Sequence, residues 1–348
     1  MNYFEQLRKN TGTRFWINNP NKTELDLALK HYTFACTTNP AYCSKLLQNE
    51  QDYINGVIDA VVKRGGCDDD AQAAEVYSQV VLRLLEEFKP LYESSNGTAG
   101  FVTMQSDPRR DEDTAYMIDM CLQGKKLGDN YMAKIPVIRG GIEAIEACIK
   151  NNINICATEV FSIAQAVLIC ERYAAACKKY GNTPFLYVTH ITGIFYEYLN
   201  KQKKNRNIDI NDSVLSKAGM AVARKQYKIL KNMGFNVMLL GGGARSTYHF
   251  TGLVGGDAHI TINWSTADEI MEAGMKIVDC IDEQIDADIV NELRTKFPEF
   301  GQAYDDNGLS ENEFANFGPV QLFRNAFLKG WYDLLAAIAL RRHENAVF

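Results

Sequence analysis

The chain has 348 residues, 46% of them hydrophobic and 23% charged, a globular balance with a sizeable core that excludes a disordered protein. Its formal charge is −6 and its densest basic run is Lys201-Gln-Lys-Lys-Asn-Arg206, read as a solvated loop, so nucleic acid is not expected as a partner. No apolar run reaches the ~18 residues of a spanning helix, and no charged-then-apolar leader opens the sequence, so a cytoplasmic protein with no membrane partner is expected.

Short β-rich runs recur along the chain, each followed by a helical pattern. They are Arg14 to Asn18, Phe34 to Thr38, Gly100 to Ser106, Met132 to Pro136, Ile155 to Phe161, Phe185 to Thr189, Asn236 to Leu240 and His259 to Asn263. Parallel neighbours need a crossover element between them, so eight such alternations predict an α/β fold, a (β/α)8 TIM barrel. Extra helices are expected after strand two, over about Ala41 to Lys63 and Ala71 to Tyr92, with Asp68 to Asp70 as cap candidates. After strand six, a polar loop from Asn200 to Asn211 is expected to lead into a helix from about Asp212 to Met233, with Gly234 as its C′ residue.

The tail beyond Leu309 predicts a long amphipathic helix to about Arg342, striped by Val320, Phe323, Phe327, Trp331, Leu334 and Leu335. Packing across the barrel mouth and packing against another subunit of a homo-oligomer are both open to it. One domain over residues 1–348 is expected, with a helical tail from about residue 310. The nine cysteines show no C-x-x-C spacing and read as small core hydrophobes in a reducing compartment. G-x-G-x-x-G, G-x-x-x-x-G-K-[ST] and H-E-x-x-H are all absent and the five histidines are scattered, so neither nucleotide-phosphate binding of those kinds nor a metal is expected.

The stretch Tyr131-Met-Ala-Lys134-Ile-Pro-Val-Ile-Arg139-Gly-Gly places one lysine in an apolar strand just before a helix. Barrel enzymes put their chemistry at that end of the strands. An amine among apolar neighbours loses solvation of its charged form, so its pKa falls and it becomes a nucleophile towards carbonyls. The plainer reading is a strand-end lysine whose stem packs while its head reaches water. Period-two alternation sends Asn18, Asn39, Gln105, Thr158 and Thr189 to the same interior or rim, and such polar groups suit a polyhydroxy carbonyl compound.

The segments that carry these residues resemble the transaldolase family of Schiff-base barrel enzymes. The matching motifs are Thr37-Thr-Asn39-Pro, Gly100-Phe-Val-Thr-Met-Gln-Ser-Asp107, Lys134-Ile-Pro with Gly140, Thr158-Glu-Val-Phe-Ser162-Ile-Ala-Gln-Ala166 and Gly241-Gly-Gly-Ala-Arg245, in the family order. The resemblance implies that Lys134 forms the Schiff base with a ketose, Asn39 holds its dihydroxyacetone end, Thr158 positions a water and Arg245 binds phosphate. It implies transfer of a dihydroxyacetone unit between a ketose and an aldose, phosphorylated or otherwise anionic, with no cofactor. The alternatives are a fructose 6-phosphate aldolase or modified-sugar aldolase and, in another class, a silent sugar-binding or assembly protein.

The sequence also departs from that pattern. The family's strand-one aspartate is Asn18 here, and its strand-three glutamate is Gln105, as in the related fructose 6-phosphate aldolases. The strand-five asparagine is Cys156, the strand-six serine is Thr189, and a second phosphate arginine is Ile194. Amides do not exchange protons near neutral pH, so the family's carboxylate relay is broken at both places. Arg139 and His190 are candidates for the lost anion contact. Alternation turns Glu159 towards the helix layer, whereas a distorted strand end would turn it inward to supply a carboxylate.

Overall fold

The structure, a computed structural model, describes residues 2–65, 68–233 and 236–346. Eight strands follow one another around a closed barrel: β1 (Arg14–Asn18), β2 (Ala35–Thr37), β3 (Val102–Gln105), β4 (Tyr131–Pro136), β5 (Asn154–Val160), β6 (Leu186–His190), β7 (Val237–Gly241) and β8 (Ala258–Ile262). Every neighbouring pair is parallel, including β8 with β1. Such strands are covered on both faces, which is why β4 is buried at all six positions and reads as one apolar run.

The larger core lies between sheet and helices, while Trp16, Ala35, Phe101, Met132, Cys156, Tyr187 and Leu240 form a separate cluster inside the barrel. Trp16 and Tyr187 meet with ring centroids 4.8 Å apart, and Trp16 Nε1 donates to His259 Nδ1 at 2.8 Å. Burial pushes His259 down to about 3, which keeps its ring neutral and able to accept that proton. This aromatic cluster fills the barrel interior.

β5 is irregular. Its register with β6 shifts between Ala157 and Val160, and Glu159 has φ +60°, a left-handed conformation that non-glycine residues rarely adopt. Gln165 holds the distortion from the following helix, Ile163–Tyr180. Its Nε2 donates to Glu159 O and Val137 O, both at 3.0 Å, while its Oε1 accepts from Phe161 N at 2.9 Å. Gln165 therefore satisfies backbone groups that the broken ladder leaves over.

Several connections differ from the sequence expectation. The stretch expected as one helix over Ala41 to Lys63 is two helices, Tyr42–Asn49 and Gln51–Arg64, parted at Glu50. The break lets Glu50 accept from Lys22 N at 2.7 Å and from Arg83 Nη1 at 2.6 Å. Lys201 to Arg206 is not a loop: it is the last part of the helix Thr192–Arg206, where basic groups meet the negative end of the dipole. Lys201 pairs with Glu197 at 3.2 Å and Arg206 with Glu299 at 3.0 Å. Beyond it come Asp212–Leu215 and Ala218–Lys231 in place of one helix, and Gly234 and Cys67 lie outside the described residues.

The long helix Gly318–Ala346 crosses the barrel mouth. It comes so close to the loop after β2 that a Cβ at Gly330 would stand 2.5 Å from Ala41 Cα. Ser44 Oγ donates to Asp333 at 2.8 Å, Arg341 binds Asp59 with two nitrogens, and Trp331 meets Tyr77 edge-on with centroids 6.0 Å apart. None of the helices among the described residues is long and apolar enough to cross a membrane.

Candidate active site

A cavity of about 200 Å³ opens at the carboxyl ends of the strands, and Lys134 lies in its wall. The lysine is 6% exposed, and its Nζ donates to Thr38 O at 3.0 Å. The Phe327 ring of the C-terminal helix stands 5.6 Å from that nitrogen, and Phe323 packs on Phe327 with centroids 4.3 Å apart. Burial lowers the pKa of Lys134, opposed by the charges of Cys156, Glu159 and Cys36. Thr38 is fixed in turn by the Tyr77 hydroxyl at 2.7 Å.

A polar wall runs along the other side. Asn18 Nδ2 donates to Asn263 Oδ1 at 2.9 Å, Thr37 Oγ1 donates to Asn18 Oδ1 at 3.0 Å, and Thr37 and Thr261 share a 2.6 Å hydroxyl contact. Asn39 also lines the cavity, with Oδ1 accepting from Ala41 N at 3.0 Å, and Thr189 Oγ1 lies 3.2 Å from Cys156 Sγ. The sequence expectation missed Thr37, Thr261 and Asn263. Extending the inward set His259, Thr261, Asn263 along β8 by period two would have found the last two.

Arg245 reaches the same cavity from the loop after β7, where Gly243 at φ +64° turns the chain. Its side chain is 41% exposed, with Nε on Glu197 Oε2 at 2.8 Å and Nη1 on Ala244 O at 3.2 Å. Arg139 does not join it: this residue opens the helix Arg139–Lys150, is exposed, and lies away from the cavity lining. His190 is no anion ligand either. It is buried with Val160 O and Gly219 O each 3.1 Å from its ring nitrogens, and burial pushes it down to about 4, so it is neutral.

Gln105 and Thr158 lie behind Lys134, outside the cavity lining, on the strands that flank it; Gln105 is its register partner on β3. The bulge brings Glu159 into this layer instead of the helix layer. Gln105 Nε2 donates to Glu159 Oε1 at 3.1 Å. Among the described residues, Gln105 Oε1, Thr158 Oγ1 and Glu159 Oε2 are buried and have no protein partner. Asp111, on the loop after β3, is wholly buried too, with Arg324 Nε of the C-terminal helix 3.5 Å from its Oδ2. Burial, then the charge of Glu159, holds the Asp111 carboxyl well above the usual range. Burial likewise raises Glu159, against the pull of Gln105, Lys134 and Arg324.

The transaldolase of Mycobacterium ulcerans is 27% identical over 199 residues, 55% of this chain and 53% of that protein. The transaldolase of Mycolicibacterium smegmatis is 27% identical over 176 residues, 48% of this chain and 47% of that one. The chain spans about half the length of the curated relatives it matches. Among solved structures, the methanol:cobalamin methyltransferase complex of Methanosarcina barkeri is 10% identical with a TM-score of 0.34, covering 81% of this chain and 78% of that one, a likeness too low to carry an argument. The family described as transaldolase/fructose-6-phosphate aldolase matches residues 15–314, from the second residue of β1 to beyond β8. With its whole barrel but one residue inside that match, this chain belongs to the transaldolase/fructose-6-phosphate aldolase family.

Proposed function

We propose that this protein transfers a dihydroxyacetone unit between sugars through a Schiff base on Lys134. The observation that carries this reading is the buried lysine itself: an amine with a lowered pKa, in the wall of a cavity lined by amides and hydroxyls. A neutral amine attacks the keto carbon and the carbinolamine loses water to give an iminium ion. The iminium takes up the electron pair when the adjacent carbon–carbon bond breaks, an aldehyde leaves, and the resulting enamine adds to a second aldehyde. Asn39 and the Asn18–Thr37–Thr261–Asn263 wall hold the sugar hydroxyls, Thr189 lies beside Cys156, and Arg245 takes an anionic end. Phe323 and Phe327 keep bulk water off the enamine, which favours transfer over release.

A second reading, cleavage that releases free dihydroxyacetone, is favoured by Gln105, which the fructose 6-phosphate aldolases also carry at this place. Borohydride reduction with fructose 6-phosphate, followed by mass mapping, tests the shared step: the adduct should lie on Lys134, and Lys134→Ala should abolish it. An adduct on another lysine, or sugar cleavage by Lys134→Ala, removes Lys134 from this role. Assay of free dihydroxyacetone with and without erythrose 4-phosphate separates the aldolase from the transferase.

A further inference from the structure

We propose that Glu159 is the proton-transfer group of the Lys134 site, acting through a water held by Glu159 Oε2, Gln105 Oε1 and Thr158 Oγ1. The inference rests on the Schiff-base reading and adds to it the group that moves the protons. Its basis is geometric. A strand bulge, fixed by Gln165, turns an acidic side chain from the helix layer into the barrel, against Gln105 Nε2 at 3.1 Å. A buried glutamate with one oxygen left over is costly unless something fills the gap, and here two more buried oxygens lack a partner, on Thr158 next to it in β5 and on Gln105, which reaches it from β3. Three polar partners suit one bound water.

The charges that face Glu159 favour this role. They are Lys134 on β4, Arg324 on the C-terminal helix and Asp111 on the loop after β3, with the neutral amide of Gln105 between β3 and β5. Burial and then the charge of Glu159 raise Asp111, so the two carboxyls disfavour ionising together, and Glu159 is the one hydrogen-bonded to Gln105, the register partner of Lys134. The proton affinity of Glu159 then follows the state of Lys134. When the lysine becomes an iminium ion, its fixed positive charge favours the Glu159 carboxylate, which takes a proton through the water from the substrate hydroxyl as the carbon–carbon bond breaks. The electron pair of that bond flows into the iminium and gives a neutral enamine. With the positive charge gone, Glu159 holds the proton and returns it when the enamine adds to the next aldehyde, so protons and electrons balance over the cycle. The carboxylate absent from β1 and β3 is thus supplied from β5.

The test uses dihydroxyacetone alone, so no acceptor sugar need be known. Lys134 converts it to an iminium ion, and loss of a hydroxymethyl proton gives the enamine; in heavy water that step exchanges hydrogen for deuterium, followed by NMR. Glu159→Gln keeps the size and the contact with Gln105. It should still be trapped by borohydride on Lys134 but exchange about 100-fold more slowly or worse, the usual range for a lost acid–base group. The exchange Gln105→Glu with Glu159→Gln puts a carboxylate back across the same hydrogen bond and should recover about tenfold or more. The wild-type pH profile should lose its carboxylate limb in Glu159→Gln. Exchange by Glu159→Gln within about threefold of wild type would overturn the proposal, a change too small for a lost acid–base group. So would an exchanged pair no better than Glu159→Gln at equal thermal stability. Should Glu159→Gln not fold, Thr158→Val removes one holder of the water and must slow exchange while trapping persists; unchanged exchange there also overturns it. A wild type that is not trapped on Lys134 removes the Schiff-base reading and this one together, whereas normal trapping with unaltered exchange removes this one alone.

Discussion

Lys134→Met should make the protein more stable while abolishing trapping. The amine is buried and makes one hydrogen bond, to Thr38 O at 3.0 Å. A buried polar group that is incompletely satisfied costs about 2–3 kcal/mol, and the thioether of nearly equal length fills the same space without it. Against that, Thr38 O loses its amine donor, worth about 1 kcal/mol net for an uncharged pair. The difference leaves the variant about 1–2 kcal/mol more stable, or roughly 2 °C in Tm for a chain of this size. The pH dependence gives the sign independently. The folded pKa of Lys134 is below its usual 10.5, so between the two values the unfolded chain binds a proton that the folded chain does not, and wild-type stability rises with pH. Removing the lysine also removes a charge that lowers Glu159, so that carboxyl resists ionisation longer in the variant. Both effects shrink the advantage of methionine from pH 7 towards pH 10. Urea unfolding of both proteins without ligand at several pH values measures this. A variant less stable at pH 7, or an advantage that grows with pH, would refute the reasoning.

Arg245→Ala should raise KM for an anionic sugar far more than for a neutral analogue, since a charged hydrogen bond is worth about 1.5–3 kcal/mol. Glu197→Gln should act in the opposite direction, because it frees the Arg245 Nε held at 2.8 Å; equal effects on both sugars would remove this pair from anion binding. Phe327→Ala uncovers Lys134 and should raise the ratio of dihydroxyacetone release to transfer, with a loss of about 3–5 kcal/mol in stability from the lost packing. An unchanged ratio in product analysis counts against the shielding role. Asn18→Asp puts a carboxylate in the polar wall beside Thr37 and Asn263, and should change turnover or substrate preference with fructose 6-phosphate and erythrose 4-phosphate by about tenfold or more. Wild-type turnover on the order of 10 per second on those sugars would show that the amides are tolerated.

The barrel was legible because parallel strands buried on both faces write themselves as bounded apolar runs, and all eight strands fall within about two residues of those runs. The same periodicity brings Lys134, Asn18, Asn39 and Thr189 to one cavity, with Gln105 and Thr158 behind it, and Arg245, which only the family resemblance pointed to, lines that cavity from the loop after β7. Arg139 failed because its place beside β4 in sequence says nothing about the direction of an exposed helix start. Glu159 contradicts strict alternation because the bulge depends on Gln165, six residues on in another element, making contacts that period counting cannot express. The break at Glu50 is equally non-local, since its carboxylate answers to Lys22 and Arg83. For the C-terminal helix the apolar stripe was plain, but its place over the mouth depends on Gly330 against Ala41.

That helix separates being folded from being equipped. β8 pairs directly with β1, so the barrel is closed by contacts such as Trp16 with His259, 243 residues apart, in which no residue of the helix takes part. The contact of Arg341 with Asp59 spans 282 residues and fastens the helix to Gln51–Arg64, outside the barrel. Docking can therefore be lost while the barrel survives, and with it go Phe323 and Phe327 from above the lysine and Arg324 from beside Asp111. Amide hydrogen exchange should then find two levels of protection, a lower one along Gly318–Ala346 and a higher one in the strands, and agents that lift the helix should silence the site well before they unfold the protein.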